Sequence, residues 1–308
     1  MSRPRRPRKK RFSRRRDAGR ASWKLVLLVL LFLVGCCSIV HRRARTTSVG
    51  PSPRQKGGER QPTDGAKKSP YCLVSCPVAE PGRRNTILER EGYLLSNNPE
   101  TKLADWAAYR ITRGTIGRSK RRDWEADPDL PADETLEPED YSGAHATLGT
   151  DRGHQVPLAS FSGTRRFEPL NYMSNLTPQR SELNQRLWNL LEQEERKLVL
   201  SKQAEALFVV TGPLFEKDMA SLPRADEPHR VPSGYFKVIA LEEGAHISTA
   251  AIIVSQDTPG TDSHCAHRVT VDEVERRSKL DLFADLPDAE EAELERAEGT
   301  LFPRLGCR

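Results

Sequence analysis

Residues 151–159 read DRGHQVPLA, and they contain the most informative pattern in the chain. His154 follows Asp151, Arg152 and Gly153, so an imidazole stands beside an acid, a guanidinium and a residue that permits a tight backbone turn. Histidine can act as a general base near neutral pH. A lone histidine is nevertheless more often structural than catalytic, and on these four residues alone the two roles are equally supported.

The clearest predicted helix lies downstream, over residues 181–200. Ser181 can cap its start, and leucines recur at helical spacing along one side: Leu183, Leu187, Leu190, Leu191 and Leu198. A second set recurs every four residues and shares one face: Asn184, Trp188, Glu192 and Arg196. This face could hold a metal, a phosphate and an orienting acid. It could also be a surface ladder, in which the Glu192–Arg196 pair contributes roughly 0.3 kcal/mol. Asparagine suits such a ladder poorly, which favours a functional site.

Apolar and β-branched runs elsewhere predict strands, and two further stretches predict helices. The strands are expected over residues 105–112, 206–211, 235–241 and 247–254. The helices are expected over residues 271–277 and 288–297. Residues 117–150 predict a long irregular excursion, which in a compact domain is usually functional. Because strands and helices do not alternate regularly, an α+β fold is favoured over a doubly wound sheet.

The DRGH pattern and its surroundings resemble the DNA/RNA non-specific endonuclease family. The family signature is intact at residues 151–154, and Gln155 and Ala159 also fit it. Residues 171–198, NYMSNLTPQRSELNQRLWNLLEQEERKL, fit the secreted bacterial branch almost throughout. Shorter stretches fit as well: Arg122–Trp124, Val210–Leu214, Pro232–Val238 and Cys265–Glu273. The similarity runs from about Tyr71 to the C-terminus.

The resemblance implies an α+β fold of the ββα-metal (His-Me finger) type, with a central, mostly antiparallel sheet flanked by helices. It places His154 on a hairpin as general base and Asn184 on the crossing helix. Asn184 would be the only protein ligand of one Mg²⁺, for which Mn²⁺ is a possible substitute. One ligand is chemically reasonable, because Mg²⁺ dehydrates reluctantly and keeps several waters. The implied reaction is hydrolysis of DNA and RNA with little sequence preference, leaving 5′-phosphates.

The same resemblance assigns roles to five further residues. Arg122 and Arg152 match positions that face the phosphate, and Glu192 matches an acid that orients metal-bound water. Asn175 and Arg196 match supporting positions. By contrast, Asp151 is interpreted as holding its loop. The other histidines lack a comparable sequence context and are interpreted as structural or surface residues: His145, His229, His246, His264 and His267.

The chain has six cysteines, of which Cys36 and Cys37 lie in an apolar segment. The other four permit two disulfides in an oxidising compartment, with three possible connectivities. We favour Cys72–Cys76 together with Cys265–Cys307. A zinc site is less well supported, since the Cys72-x3-Cys76 spacing alone is a weak zinc signal.

Charge is distributed very unevenly along the chain. Residues 1–70 carry 20 of the 49 Lys and Arg residues and 3 of the 43 Asp and Glu residues. Residues 71–308 therefore carry 29 basic and 40 acidic residues, a net charge of −11. The basic arm at residues 1–24 is explained by a cytoplasmic orientation signal that attracts anionic lipid, with a nucleic-acid-binding tail as the alternative. The domain that follows must therefore bind nucleic acid through a local basic cleft.

Residues 25–40, LVLLVLLFLVGCCSIV, contain no charge, and this segment is slightly short of the roughly 20 residues of a full membrane span. Three interpretations remain open: an uncleaved signal anchor, a lipoprotein signal with Cys36 lipidated, or a cleaved signal peptide. All three place the following domain outside the cytoplasm, either membrane-anchored at the periplasm or cell surface, or secreted. Residues 41–70 predict a flexible linker, so the nuclease domain is expected over residues 71–308.

Two functions of different class compete. The first is a metal-dependent endonuclease acting on DNA and RNA. The second is a catalytically weak, membrane-tethered nucleic-acid receptor for DNA uptake. The intact His154, Asn184 and Arg122 favour the enzyme. The resemblance also makes a homodimer possible.

Overall fold

The structure is a computed structural model of the 308-residue chain, and it describes residues 68–118 and 121–308. The predicted basic arm, the apolar segment and nearly all of the linker lie outside the described residues. Within the described ranges, no helix is both long and apolar enough to cross a membrane.

A seven-stranded antiparallel sheet forms the centre of the domain. In chain order the strands of the described residues are β1 (Val78–Ala79), β2 (Thr86–Arg90), β3 (Tyr93–Asn98), β4 (Leu103–Thr112), β5 (Thr150–His154), β6 (Leu176–Arg180), β7 (Ala206–Leu214), β8 (Gly234–Glu243), β9 (His246–Ser255), β10 (Arg268–Val269) and β11 (Leu280–Asp281). The order across the large sheet is β10-β9-β8-β7-β4-β3-β2. Two small antiparallel pairs, β1–β11 and β5–β6, lie outside it.

Six segments of the described residues are α-helical. They are α1 (Ala144–Leu148), α2 (Leu158–Phe161), α3 (Ser181–Leu183), α4 (Asn189–Leu200), α5 (Val271–Ser278) and α6 (Asp288–Arg296). Between α3 and α4, Asn184–Trp188 forms a π-helical turn, so residues 181–200 make one continuous helix. We call this continuous element the crossing helix. The predicted helix is confirmed in extent, and the π turn was not predicted. The predicted capping role of Ser181 was wrong, because Ser181 is the first helical residue and its hydroxyl donates to Asp151. Such π turns are rare and often occur at functional sites.

The alternation of side chains along β8 explains why the sheet is covered on both faces. Tyr235 and Ile239 belong to the apolar cluster that includes Leu187 of the crossing helix. Phe236 and Val238 point the other way, into the cluster that includes α5 and the first disulfide. Burying both faces of one strand requires an almost continuous apolar run, which is what the sequence of β8 provides.

The predicted α+β class with a mostly antiparallel sheet is confirmed. The strands predicted over 105–112, 206–211, 235–241 and 247–254 correspond to β4, β7, β8 and β9, each one to three residues longer at one or both ends. Strands β2 and β3 were not predicted. Residues 117–150 contain short 3₁₀ turns and α1, in agreement with an irregular excursion.

The hairpin of β5 and β6 carries the DRGH residues and pairs His154 with Leu176. Gly153 is required there for space, because a Cβ at this position would lie 2.6 Å from Oε1 of Gln179. This hairpin and the crossing helix that follows it form the ββα unit expected from the sequence.

Both predicted disulfides are present, Cys72–Cys76 and Cys265–Cys307. The second closes a loop with a sequence separation of 42 and lies within the main core, where Cys307 is buried. It fixes residues 301–307 against the crossing helix, since Leu301, Phe302 and Leu305 are all fully buried.

Removing the longer disulfide should cost more stability than removing the shorter one. Loop-closure entropy predicts a loss of about 4 kcal/mol for Cys265→Ala/Cys307→Ala and about 2 kcal/mol for Cys72→Ala/Cys76→Ala. Urea unfolding of the two variants beside the wild type measures both values. A larger loss in the variant of the short loop would contradict this account.

Candidate active site

One cavity of about 480 Å³ brings most of the predicted site residues together. It lies between the β5–β6 hairpin, the crossing helix and the excursion at residues 121–145. Six of the seven predicted residues line it: Arg122, Arg152, His154, Asn184, Glu192 and Arg196. The imidazole at 154 and the carboxamide at 184 therefore face the same space.

Asn175 is the exception, because it is fully buried behind the cavity. Its Oδ1 accepts a hydrogen bond from the Val156 amide at 2.9 Å, and its Nδ2 donates to the carbonyls of Val156 and Leu170. The two bonds with Val156 tie the chain just after His154 to the start of β6, and the third holds the preceding turn at Leu170. Asn175 thus positions the hairpin and does not contact the cavity.

His154 lies at the end of β5 and is partly exposed to the cavity. Its Nε2 is 3.4 Å from Oδ1 of Asn171, whose Nδ2 donates to the Arg121 carbonyl. In this orientation the Asn171 oxygen is the acceptor, so Nε2 of His154 carries the proton and Nδ1 keeps a free lone pair. The Trp124 ring packs beside the imidazole, with ring centroids 5.6 Å apart.

The environment keeps His154 neutral. Burial lowers its pKa to about 4, the Asn171 hydrogen bond opposes that shift, and the positive charge of Arg122 adds to it. At neutral pH the imidazole is therefore unprotonated at Nδ1, the form that a general base requires. A bound phosphate would bring negative charge and raise this pKa towards the working pH.

Asp151 connects the hairpin to the crossing helix. Its carboxylate accepts hydrogen bonds from Ser181 Oγ at 2.7 Å, Asn184 Nδ2 at 3.2 Å and Gln185 Nε2 at 2.8 Å. Burial alone would raise the pKa of Asp151, but these bonds and a contact with His145 lower it below its usual value. The acid is therefore ionised, in agreement with its predicted role in holding the loop.

The bond from Nδ2 also fixes the orientation of the Asn184 amide. Because the nitrogen is committed to Asp151, Oδ1 is the atom left free to accept from water or a cation. An amide oxygen is a hard ligand of the type that Mg²⁺ prefers. In the described residues, groups of three or more His, Cys, Asp or Glu side chains that could together hold a metal ion all lie outside this cavity. The donor set of this cavity therefore fits a cation that keeps most of its water.

Arg152 is held rigidly in the cavity wall. Its guanidinium lies 5.5 Å from the Trp124 ring centre and 5.0 Å from that of Tyr141, and it donates to the Pro138 carbonyl. Arg122, by contrast, is exposed and forms no ion pair with any described residue. One fixed and one free guanidinium at the same cavity suit the binding of a phosphate.

Glu192 and Arg196 close the far side of the cavity. Their side chains are both 13% exposed, and Arg196 Nη1 lies 3.9 Å from Glu192 Oε2 and 3.3 Å from Ser160 Oγ. Burial raises the pKa of Glu192 to about 7, Lys237 and Arg196 lower it, and Glu195 raises it further. Lys237 and Glu195 form a fully buried ion pair beneath this residue, with Nζ and Oε1 3.0 Å apart.

Sequence reasoning missed three residues that line the cavity. His145 was interpreted as structural or surface, but its Nδ1 is 3.0 Å from both Asp151 Oδ1 and Ser181 Oγ. Trp124 and Tyr141 supply the rings around Arg152. The sequence contains no periodic signal for any of the three, since they come from the irregular excursion and α1.

The family model of the DNA/RNA non-specific endonucleases matches residues 76–289 of this chain. The chain belongs to this family. A nuclease of Serratia marcescens is 45% identical over 238 residues, which cover 77% of this chain and 89% of that protein. Human mitochondrial endonuclease G is 29% identical over 214 residues, 63% of this chain and 68% of that protein. This family member is therefore a nuclease.

Comparison with solved structures supports the fold independently. A crystal structure of an EndoG/EndoGI complex aligns with a TM-score of 0.57 at 21% identity, over 65% of this chain and 86% of the matched chain. At that level of identity the match establishes the fold alone. The predicted family and the His-Me finger architecture are both confirmed.

The pKa values of Glu192 and His154 predict how activity depends on pH. The roles predicted for both groups require the unprotonated form, so kcat/KM should fall as the pH drops through about 7, where Glu192 becomes protonated. In Glu192→Gln the fall in kcat/KM near pH 7 should disappear. The remaining fall should lie near pH 4, where His154 becomes protonated. The measurement is kcat/KM against pH, with Glu194→Gln on the same helix as the control. A fall in kcat/KM near pH 7 that persists in Glu192→Gln would show that another group titrates there.

Proposed function

We propose that this nuclease hydrolyses phosphodiester bonds of DNA and RNA with Mg²⁺ as its metal, leaves 5′-phosphates and has little sequence preference. The supporting observation is the cavity itself, in which a neutral histidine and an oriented amide oxygen face three arginines. Mn²⁺ is expected to substitute for Mg²⁺, because it also accepts oxygen ligands.

In the proposed mechanism, Arg122 and Arg152 bind the phosphate and hold it in line with an attacking water. His154 takes a proton from that water at Nδ1, while its Nε2–H bond to Asn171 keeps the ring in place. Asn184, oriented by Asp151, would hold the Mg²⁺. When bound, the Mg²⁺ would supply positive charge that stabilises the phosphate and the leaving 3′-oxygen. Glu192, fixed near Arg196, orients water in the cavity.

The composition of the cavity supports low sequence selectivity. Its charged groups are suited to phosphate, which every nucleotide carries, and phosphate contacts provide affinity without reading the sequence. The domain from residue 71 onward has a net charge of −11. Attraction to nucleic acid must therefore come from local arginines, and salt should weaken binding by the equivalent of a few phosphate contacts.

We propose that the domain acts outside the cytoplasm, tethered through residues 25–40 or released if that segment is cleaved. The two disulfides support this location, because such bonds persist in oxidising compartments. Mass spectrometry of the mature protein distinguishes an intact chain, a lipidated Cys36 and a clipped product.

A homodimer is proposed only by resemblance, and sedimentation of the purified protein tests it.

Replacing the proposed base should abolish catalysis but not folding. His154→Ala should lower cleavage of plasmid DNA and of RNA by about 10²- to 10⁴-fold, because proton transfer from water is lost. Unfolding in urea and retardation of a DNA fragment in a gel should remain near the wild-type values. Near-normal turnover would remove His154 from the mechanism. If the wild type itself retards DNA in the presence of Mg²⁺ without cutting it, the chain is a nucleic-acid receptor.

Replacing the proposed ligand should weaken Mg²⁺ binding and catalysis together. Asn184→Ala should lose most cleavage, and added Mg²⁺ should restore it poorly, because the variant lacks the proposed amide ligand. Asn189→Ala is the matched control, since Asn189 lines the same cavity five residues along the crossing helix. Titration of activity with Mg²⁺ measures the difference. Full rescue of Asn184→Ala would mean that another residue holds the metal.

A further inference from the structure

A second, basic cavity of about 490 Å³ lies beyond the C-terminal end of the crossing helix. Arg110 near the end of β4, Arg113 just after it and Lys202 all line the cavity, and Glu205 is the one acid among the described residues that line it. We call it the basic pocket. Three cations against one acid give it positive charge within a domain that is negative overall.

These cations are not paired with acids. Within residues 68–118 and 121–308, Arg110, Arg113 and Lys202 form no ion pair, although many arginines of the domain do, such as Arg83 with Asp105 and Arg277 with Glu216. Acidic partners are abundant in this domain, so clustered unpaired cations are notable. Bringing three of them together around a single acid, Glu205, costs free energy through mutual repulsion.

Arg110 is held in the same way as Arg152 in the active site. Its guanidinium lies 5.5 Å from the centre of the Phe208 ring on the neighbouring strand. Its Nε is buried and has no hydrogen-bond partner among the described residues, as is also true of Nε in Arg152. A planar cation fixed against an aromatic ring at the wall of a cavity is suited to bind an oxyanion.

The two cavities are joined by short stretches of structure. Arg196 lines the active site, and four residues of helix, about 6 Å of axis, separate it from Leu200, two residues before Lys202. On the other side, Gly117 follows Arg113 closely and donates to the carbonyl of Ala159, which also lines the active site. The proposed metal ligand Asn184 lies farther away, about 24 Å of helix axis before Leu200. One strand of nucleic acid advances about 3.4 Å per phosphate along a duplex, so about seven nucleotides span the distance from Asn184 to the pocket.

We propose that the basic pocket is a second phosphate-binding subsite, which holds the polynucleotide several nucleotides away from the bond that is cut. This inference rests on the proposed function. It predicts that long substrates gain affinity from the pocket and that very short ones do not. The pocket contributes to substrate binding and takes no part in the chemical step.

The test compares single-stranded DNA oligomers of 3 and 16 nucleotides, each carrying a fluorophore. In Arg113→Gln/Lys202→Gln, KM for the 16-mer should rise about five- to tenfold with kcat unchanged, because two phosphate contacts are lost. Both constants for the 3-mer should stay at wild-type values. The slope of log KM for the 16-mer against log salt should fall by about 1.4 in magnitude, at about 0.7 per contact on a single strand.

Lys279→Gln/Arg296→Gln is the matched control, because it removes the same charge from α5 and α6. Lys279 is exposed in a left-handed backbone conformation, as Lys202 is. The control should leave KM for both oligomers unchanged. Glu205→Gln should act in the opposite direction and lower KM for the 16-mer. Urea unfolding confirms that each variant is folded.

Three results would overturn the inference: equal effects on both oligomers, an equal effect of the control, or no effect on the 16-mer. Failure of the proposed function is recognised separately. If the wild type cuts neither oligomer, binding of the 16-mer is measured by fluorescence anisotropy in a His154→Ala background. A loss of affinity on adding Arg113→Gln/Lys202→Gln would then support the subsite, and no loss would refute it.

Discussion

The site depends on the carboxylate of Asp151, which joins two elements that are far apart in the chain. It belongs to β5, and its hydrogen bonds reach three residues at the start of the crossing helix. Through this connection the strand that carries His154 and the helix that carries Asn184 keep one relative position. The same bonds decide which atom of the Asn184 amide is free, because they occupy its nitrogen. A carboxylate that accepts several hydrogen bonds stays ionised, so this connection persists well into acidic solution.

A second constraint lies beneath the catalytic face, where charge is buried. The Lys237–Glu195 ion pair has no exposed side-chain surface, and its ammonium lies 4.6 Å from the centre of the Trp188 ring. Desolvation of such a pair costs several kcal/mol per ion before mutual attraction offsets it. Burial has the largest effect on the pKa of Glu192 and raises it, and the ion pair modifies that pKa, since Lys237 lowers it and Glu195 raises it. The sheet thus influences the protonation of the active site as well as supporting it.

The sequence predicted those parts of the molecule in which one physical signal dominates. Periodic leucines gave the extent of the crossing helix, and continuous apolar runs gave β4, β7, β8 and β9. Strands β2 and β3 were missed because they are short and lie among charged and turn-forming residues. The π turn was missed because the spacing of the leucines does not reveal one extra residue within a single turn. At the site, the resemblance identified six cavity residues. It did not show that Asn175 faces the protein interior, or that His145 reaches Asp151 from a helix that pattern analysis does not detect.

The Cys265–Cys307 bond has a further consequence for a protein exposed to proteases. The loop that it closes contains α5, α6 and the residues that pack beneath the crossing helix. A single backbone cut anywhere between these cysteines leaves both fragments covalently attached. The severed segment can therefore return to its place, and Leu301, Phe302 and Leu305 can again cover the inner side of the helix that carries Glu192 and Arg196. The disulfide thus keeps the two pieces of the chain together after a cut in this region.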